Sequence, residues 1–433
     1  MNATAFLSIT DWQPYLIALA IYILIGIILW SVRSKSIQVW YAIGIIALGF
    51  GLMLRFAAAL KLAPFPYDFA TFFAWSEGLV QYGFGAFYDS QRFIDYPPGY
   101  MYVLSIIGEI RHAFGYVQGS VGSALLLKAP AIVADIAISF VLYRIGREGG
   151  QHRLAILVAS LYILNPVVWL NSAMWGQVDS VFTLILLLAI WQLSKQAYTF
   201  AGIWYAIAIL VKPQALLFGP VFLFVPLRSQ PFQAWGKMVF SGLLTFILGI
   251  MPFALQQEPL WIYNLYKSTL SSYAYYSVNA FNVPALLGGN WQPLGDSASL
   301  FSTLTLGLIV IAAGLFAWHY RQTTHLEAYI ALWVILTVFL FAFKMHERYL
   351  FPALALLPLI WLWTKQIRWA VVFALVTLAQ MINVGLIYIQ SLGQNQPLLF
   401  GQTAIHVSAM LLLIAWGLTT WFALRKEGGQ LRG

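Results

Sequence analysis

Thirteen apolar stretches follow one another along this chain, separated by short polar breaks and two long ones. They fall near 15–30, 40–60, 122–143, 154–171, 180–194, 199–211, 214–227, 238–256, 300–318, 327–343, 350–363, 369–390 and 404–424. A helix that crosses a bilayer needs about 20 mostly apolar residues, at about 1.5 Å of rise each. The stretches are continuous rather than alternating, which selects helices over a closed barrel. Composition agrees, with 61% hydrophobic and 9% charged residues, against about 25% charged in soluble domains. The expected fold is therefore an all-α polytopic membrane protein, a single transmembrane domain over 1–433 with about 13 spanning helices. The first span, Trp12 to Trp30, has no basic leader or small-residue cleavage site, and reads as an anchor rather than a signal peptide.

The net charge of +9 does not point to nucleic acid, because the basic residues punctuate the ends of apolar runs. The run Tyr100–Ile107 is too short to cross, which predicts a helix lying at the membrane surface. With that assignment, fourteen of the 23 Lys and Arg fall on one set of ends, among them Arg33, Lys35, Arg144, Arg147, Arg425 and Lys426. The positive-inside bias then sets the amino end outside and the carboxyl end in the cytoplasm. Ten of the fourteen acidic residues fall outside, including Asp68, Asp95 and Asp179, as do Lys212 and the Lys344–Arg348 cluster. Two external loops result. One, 61–121, carries juxtamembrane helices; the other, 256–299, is rich in aromatics such as Trp261, Tyr263, Tyr266, Tyr273, Tyr275, Tyr276, Phe281 and Trp291.

The external polar residues carry the chemistry. Asp68 follows Pro64 and Pro66 and opens an aromatic helix, where it reads either as a helix cap or as a general base partly desolvated by its neighbours. Asp95, before Tyr96-Pro97-Pro98, has the same two readings. Asp179 reads first as the cap of the following span, while Glu77 and Asp89 read as solvated loop charges. Lys344, His346, Glu347 and Arg348 put four ionisable groups between two apolar runs, more than an anchor needs. This suits a phosphate, with Arg348 able to make a paired contact. Lys212, at the Lys212-Pro213 break, joins them or snorkels. Two short helices meeting at Pro213 are expected to leave a dent open to the outer side. Asp135 and Arg55 lie within spans and are expected to tie helices together. With no cysteine and no diagnostic ligand spacing, no cofactor is required; a divalent metal is compatible with the acidic residues but nothing indicates one.

On these residues the chain resembles the GT-C superfamily of polytopic glycosyltransferases. The segments that carry the resemblance are Tyr67-Asp68-Phe69, Asp95-Tyr96-Pro97-Pro98, Ala134-Asp135-Ile136, Lys212-Pro213-Gln214-Ala215-Leu216, Ser277-Val278-Asn279-Ala280-Phe281-Asn282 and His346-Glu347-Arg348. The nearest branches are the lipid-phosphate-glucose-dependent glucosyltransferases of N-glycan assembly and bacterial relatives of the GPI-anchor mannosyltransferases. The resemblance implies inverting transfer of a hexose, glucose or mannose, from a polyprenyl-phosphate-linked sugar donor to a glycan or glycolipid acceptor. Membrane lipids would surround a site on the non-cytoplasmic face of a bacterial plasma membrane. It also implies Asp68 as catalytic base, Asp95 as a second acidic group and His346 at the donor-phosphate end of the site, where the charge pattern read above adds Arg348, Lys212 and Lys344. Tyr67, Tyr96, Gln214, Asn279 and Asn282, within the matching segments, and Asp179, outside them, are the expected substrate-binding positions. Here His346-Glu347-Arg348 stands where the glucosyltransferases commonly have His-Glu-Lys, which keeps the charge. A secondary transporter or lipid flippase is the alternative, since it too carries intramembrane charges and broken helices. It would be expected to show paired interruptions in two matching halves.

Overall fold

The computed structural model describes residues 13–32, 34–88, 93–228, 231–393 and 401–424. Arg33, Asp89, Arg425 and Lys426 lie outside them. The chain opens with α1 (Gln13–Ser31) and α2 (Ile37–Lys61), and the first long loop holds α3 (Pro66–Phe87) and α4 (Pro98–Phe114). Next come α5 (Val121–Glu148), α6 (His152–Ile163) and α7 (Pro166–Trp169), the last running into a π-helix over Leu170–Trp175. These lead into α8 (Asp179–Ser194) and α9 (Tyr198–Val211). A 3₁₀ turn, Pro213–Phe218, then precedes α10 (Gly219–Phe224). Following α11 (Pro231–Ala254), the second long loop contains α12 (Trp261–Ser271), β1 (Ser277–Val278) and α13 (Val283–Leu286). The chain ends with α14 (Asp296–His319), α15 (Leu326–Phe341), β2 (Met345–His346), α16 (Ala353–Thr364), α17 (Arg368–Leu392) and α18 (Gly401–Leu424).

Each predicted apolar stretch is helical. Six of these helices are long and apolar enough to cross a membrane, and the bent pair His152–Ile163 and Pro166–Trp175 makes a seventh. The others, including α8, α9, α15 and α16, are shorter apolar helices, so length and composition support six or seven crossings by themselves rather than thirteen. The shortness has a packing reason. α15 and α16 are apolar all round and buried along almost their whole length, as helices enclosed by other helices are. The outer helices α2, α11 and α14 instead turn bare Ile45, Phe240 and Leu308 outward, as a lipid-facing surface requires.

The 44° bend after α6 shows how the interior is tied. Asn165 accepts the Val167 N–H on its own side chain, so the Ile163 carbonyl loses its helical donor. Arg55 supplies one at 2.7 Å and places its Nε 2.8 Å from Asp135, with both side chains fully buried. Ser172 of the π-helix and Ser180 of α8 donate to the same carboxylate at 2.5 and 2.6 Å. The predicted tie between helices is thus a direct ion pair that joins α2, α5, the π-helix and α8.

Close backbone approach fixes the first loop. A Cβ on Gly99 would sit 2.6 Å from the Leu210 carbonyl carbon, so only glycine lets the start of α4 press against the end of α9. Glu77 lies on α3 rather than in a loop, and its carboxylate, 39% exposed, is solvated and also paired. It lies 3.1 Å from Arg111, which is buried, stacks 3.6 Å over Phe73, and donates to Ser76 and Ser123, clamping α3, α4 and the start of α5.

Candidate functional site

Five segments converge at one end of the helices around a cavity of about 630 Å³. The first is the start of α3, which brings Tyr67 and Asp68; the second is the Asp95–Tyr96 turn before α4. The third is the Lys212–Gln214 break after α9, and the fourth the end of α12 with Tyr273. The last is the loop from Lys344 to Tyr349. Two of these are held by short β contacts. β1 pairs in parallel with β2, with Val278 opposite His346 and Asn279 bridging to it. Lys344 stands at φ +61°, a costly conformation for a lysine, and its N–H donates to the Tyr275 carbonyl.

Nine of the twelve residues expected at the site line this cavity: Tyr67, Asp68, Asp95, Tyr96, Lys212, Gln214, Lys344, His346 and Arg348. Three do not. Asn282 is fully buried, accepts the Ala285 N–H as the cap of α13 and donates to the Phe339 carbonyl, so its polar atoms serve the fold. Asn279 accepts from the Trp291 indole beyond the cavity wall. Asp179 is fully buried behind that wall, in an ion pair with Lys212. Among the eight loop aromatics, only Tyr273 lines the cavity.

The capping reading of Asp68 does not hold, because its Oδ2 accepts from Trp175 Nε1 at 2.7 Å and from Gln177 Nε2 at 2.8 Å. Arg348 Nη2 lies 3.5 Å from the same oxygen. Arg348 also donates to Glu347 at 2.6 Å and reaches to 3.8 Å from Asp179. The expected cradle of free cations is therefore a mixed network: Lys212 and Arg348 already answer carboxylates. Lys344 donates at 3.4 Å to the Leu270 carbonyl and has no carboxylate within 4 Å among the described residues. Burial, and then the charges of Arg348 and Lys212, push the pKa of His346 well below the usual imidazole range. Burial, and then the charge of Asp68, raise Asp95 to about 6. Neither Asp95 nor Asp179 caps its helix through a side-chain hydrogen bond.

Away from these groups the lining is mostly apolar, with Ser302 and Thr303 of α14 among its polar members. Leu216, Leu217 and Pro220 face Leu306, Ile309 and Val310 of α14, together with Val334 and Val338 of α15. One continuous cavity thus has a charged end and a hydrocarbon slot. Trp175 and Gln177, which donate to Asp68, are the site contacts absent from the sequence reading. The Met174–Ser180 segment drew attention only for Asp179, and nothing in it announces a π-helix.

Among the described residues, no group of three or more His, Asp or Glu could hold a metal ion. No curated protein matches the chain. The profile of glycosyltransferase family 87 matches residues 93–343, more than half of the chain, from just before Asp95 to just before Lys344. That span includes Tyr96, Asp179, Lys212 and Gln214 and stops short of Asp68 and of His346–Arg348, whose place in the site rests on the distances above. With a helical membrane architecture and a charged cavity opening into an apolar slot, the chain belongs to glycosyltransferase family 87, a GT-C-type family of membrane glycosyltransferases.

Proposed function

We propose that the chain moves a hexose, glucose or mannose, from a polyprenyl-phosphate-sugar donor to a lipid-linked or surface glycan, with inversion. The observation that carries this reading is the two-part cavity. Its charged end suits a phosphate and a sugar, and the slot between α10, α14 and α15 suits a hydrocarbon tail. In the reaction a hydroxyl oxygen of the acceptor attacks the anomeric carbon as its proton passes to Asp68. The bond from that carbon to the phosphate oxygen breaks, and its electron pair leaves on the polyprenyl phosphate. Lys344 and Arg348 meet the charge that develops there, in a setting where water is scarce and their field is strong. Asp179 and Glu347 act from behind, holding Lys212 and Arg348 in place.

We place this end of the helices on the non-cytoplasmic face of a bacterial plasma membrane, with thirteen spans and 61–121 and 256–299 as external loops. The charge distribution of the sequence supports that orientation. The test is to incubate purified protein with a panel of polyprenyl-phosphate sugars and a lipid-linked glycan. Release of polyprenyl phosphate, matched by glycan extension, is the expected result. Solute or lipid movement across vesicles with no bond broken supports a transporter or flippase instead.

A further inference from the structure

Among the described residues, the hydrogen bonds that the Asp68 carboxylate accepts fall on one oxygen. Trp175 Nε1 and Gln177 Nε2 both reach Oδ2, and so does the nearest atom of Arg348. Oδ1 has no hydrogen-bond partner among the described residues, while the side chain lines the cavity at 23% exposure.

The two donors are themselves fixed. Gln177 accepts the Val178 N–H on its Oε1 at 2.7 Å, with the Tyr96 hydroxyl at 3.4 Å from the same atom. Its amide can therefore turn only its NH₂ toward Asp68. Trp175 is fully buried, its ring stacked 4.1 Å from Phe65, and its carbonyl accepts the Phe65 N–H at the start of α3. The backbone that brings both side chains to one oxygen is unusual. It is a π-helix ending at Gly176, whose φ of +84° lets the chain reverse between Trp175 and Gln177. Ser172 in that π-helix is anchored on Asp135.

We propose that Trp175 and Gln177 are positioning residues for the base: they hold Oδ2 of Asp68 so that Oδ1 is the atom presented to the acceptor hydroxyl. This rests on the reading of Asp68 as base. Two donors on one oxygen fix the plane of the carboxylate, so removing either one frees it to turn.

The test uses Trp175→Phe, which keeps a ring on Phe65, and Gln177→Met, which keeps the side-chain length. Dicyclohexylcarbodiimide, an apolar reagent that attacks protonated carboxyls, is applied to the purified full chain over a pH series, and its adduct on Asp68 is quantified by mass spectrometry. At each pH Asp68 is expected to be modified more extensively in each variant than in the parent chain, because a carboxyl released from one donor can turn both of its oxygens to the reagent. In the transfer assay kcat falls by about tenfold or more for each lost donor, with donor KM unchanged. Superimposed modification curves in a variant that melts like the parent overturn the assignment, whatever the chain transfers. If the curves shift but the parent transfers no sugar from any donor, the base reading fails and the pinning of Asp68 stands.

Discussion

Replacing Asp68 by asparagine separates chemistry from architecture. The amide keeps the size of the side chain and an oxygen to accept the Trp175 N–H, and it removes the charge and the proton acceptor. Arg348 is not stranded, since it retains Glu347 at 2.6 Å and lies 3.8 Å from Asp179. The lost contact with Arg348 is 3.5 Å long on a partly exposed carboxylate. Its removal should cost about 1 kcal/mol of stability or less. The kinetic effect is of another order. A positioned general base contributes about 10²–10⁴ in rate, which at about 1.4 kcal/mol per tenfold is about 3–5 kcal/mol of barrier. Donor binding should hold or tighten, because a negative charge has left the neighbourhood of the phosphate. The assay is polyprenyl phosphate release by purified protein from a donor that the parent accepts, with a thermal melt alongside. An asparagine variant that melts like the parent and turns over at the parent's rate refutes Asp68 as the base.

Four further outcomes are expected. Lys344→Ala should raise donor KM about tenfold with a smaller change in kcat, since it removes a cavity-lining cation that the proposed function sets against the donor phosphate and that supports no carboxylate among the described residues; an unchanged KM in steady-state kinetics removes Lys344 from the donor site. Asp135→Ala leaves Arg55 buried and unpaired and should cost about 3–5 kcal/mol, read as a lower melting temperature; Asp135→Leu with Arg55→Met should recover much of that loss. Glu77→Gln should retain activity and lose about 1 kcal/mol or less, because Arg111 keeps Ser76, Ser123 and Phe73. Asp95 binds its proton more tightly folded than unfolded, so the stability it lends is full below pH 3.8 and is lost as pH rises through about 6. Asp95→Asn should therefore flatten the fall of melting temperature across that window, and an unchanged slope removes Asp95 as its source.

Hydrophobic run length made the thirteen apolar stretches legible as helices, though not α12, α13 or the π-helix, because a membrane chain must satisfy its backbone within each segment and cover it with apolar side chains. The same reasoning explains why the Asp68, Asp95, Lys212 and His346–Arg348 segments came out together. Ionisable groups are excluded from the hydrocarbon, and four breaks on one set of helix ends leave them only one place to meet. The dent at Lys212-Pro213 was legible too, since Pro213 cannot continue α9 and the chain after it winds as a 3₁₀ turn on the cavity wall.

Which polar groups touch was not legible. Lys212 answers Asp179, 33 residues away, and Glu77 answers Arg111, so residues read as a free cation and a solvated acid are both spoken for. Asn282 matched a motif and turned out to cap α13. Trp175 and Gln177 reach Asp68 across more than 100 residues through a π-helix that no local pattern requires. The sequence by itself determined that the apolar stretches are helical, that the chain inhabits a membrane, and which end of the helices collects the charge, because burial of apolar and ionisable groups is a property of each residue. The tertiary structure decided which carboxylate oxygen is held and which is open, because pairing depends on distance and direction between atoms far apart in the chain.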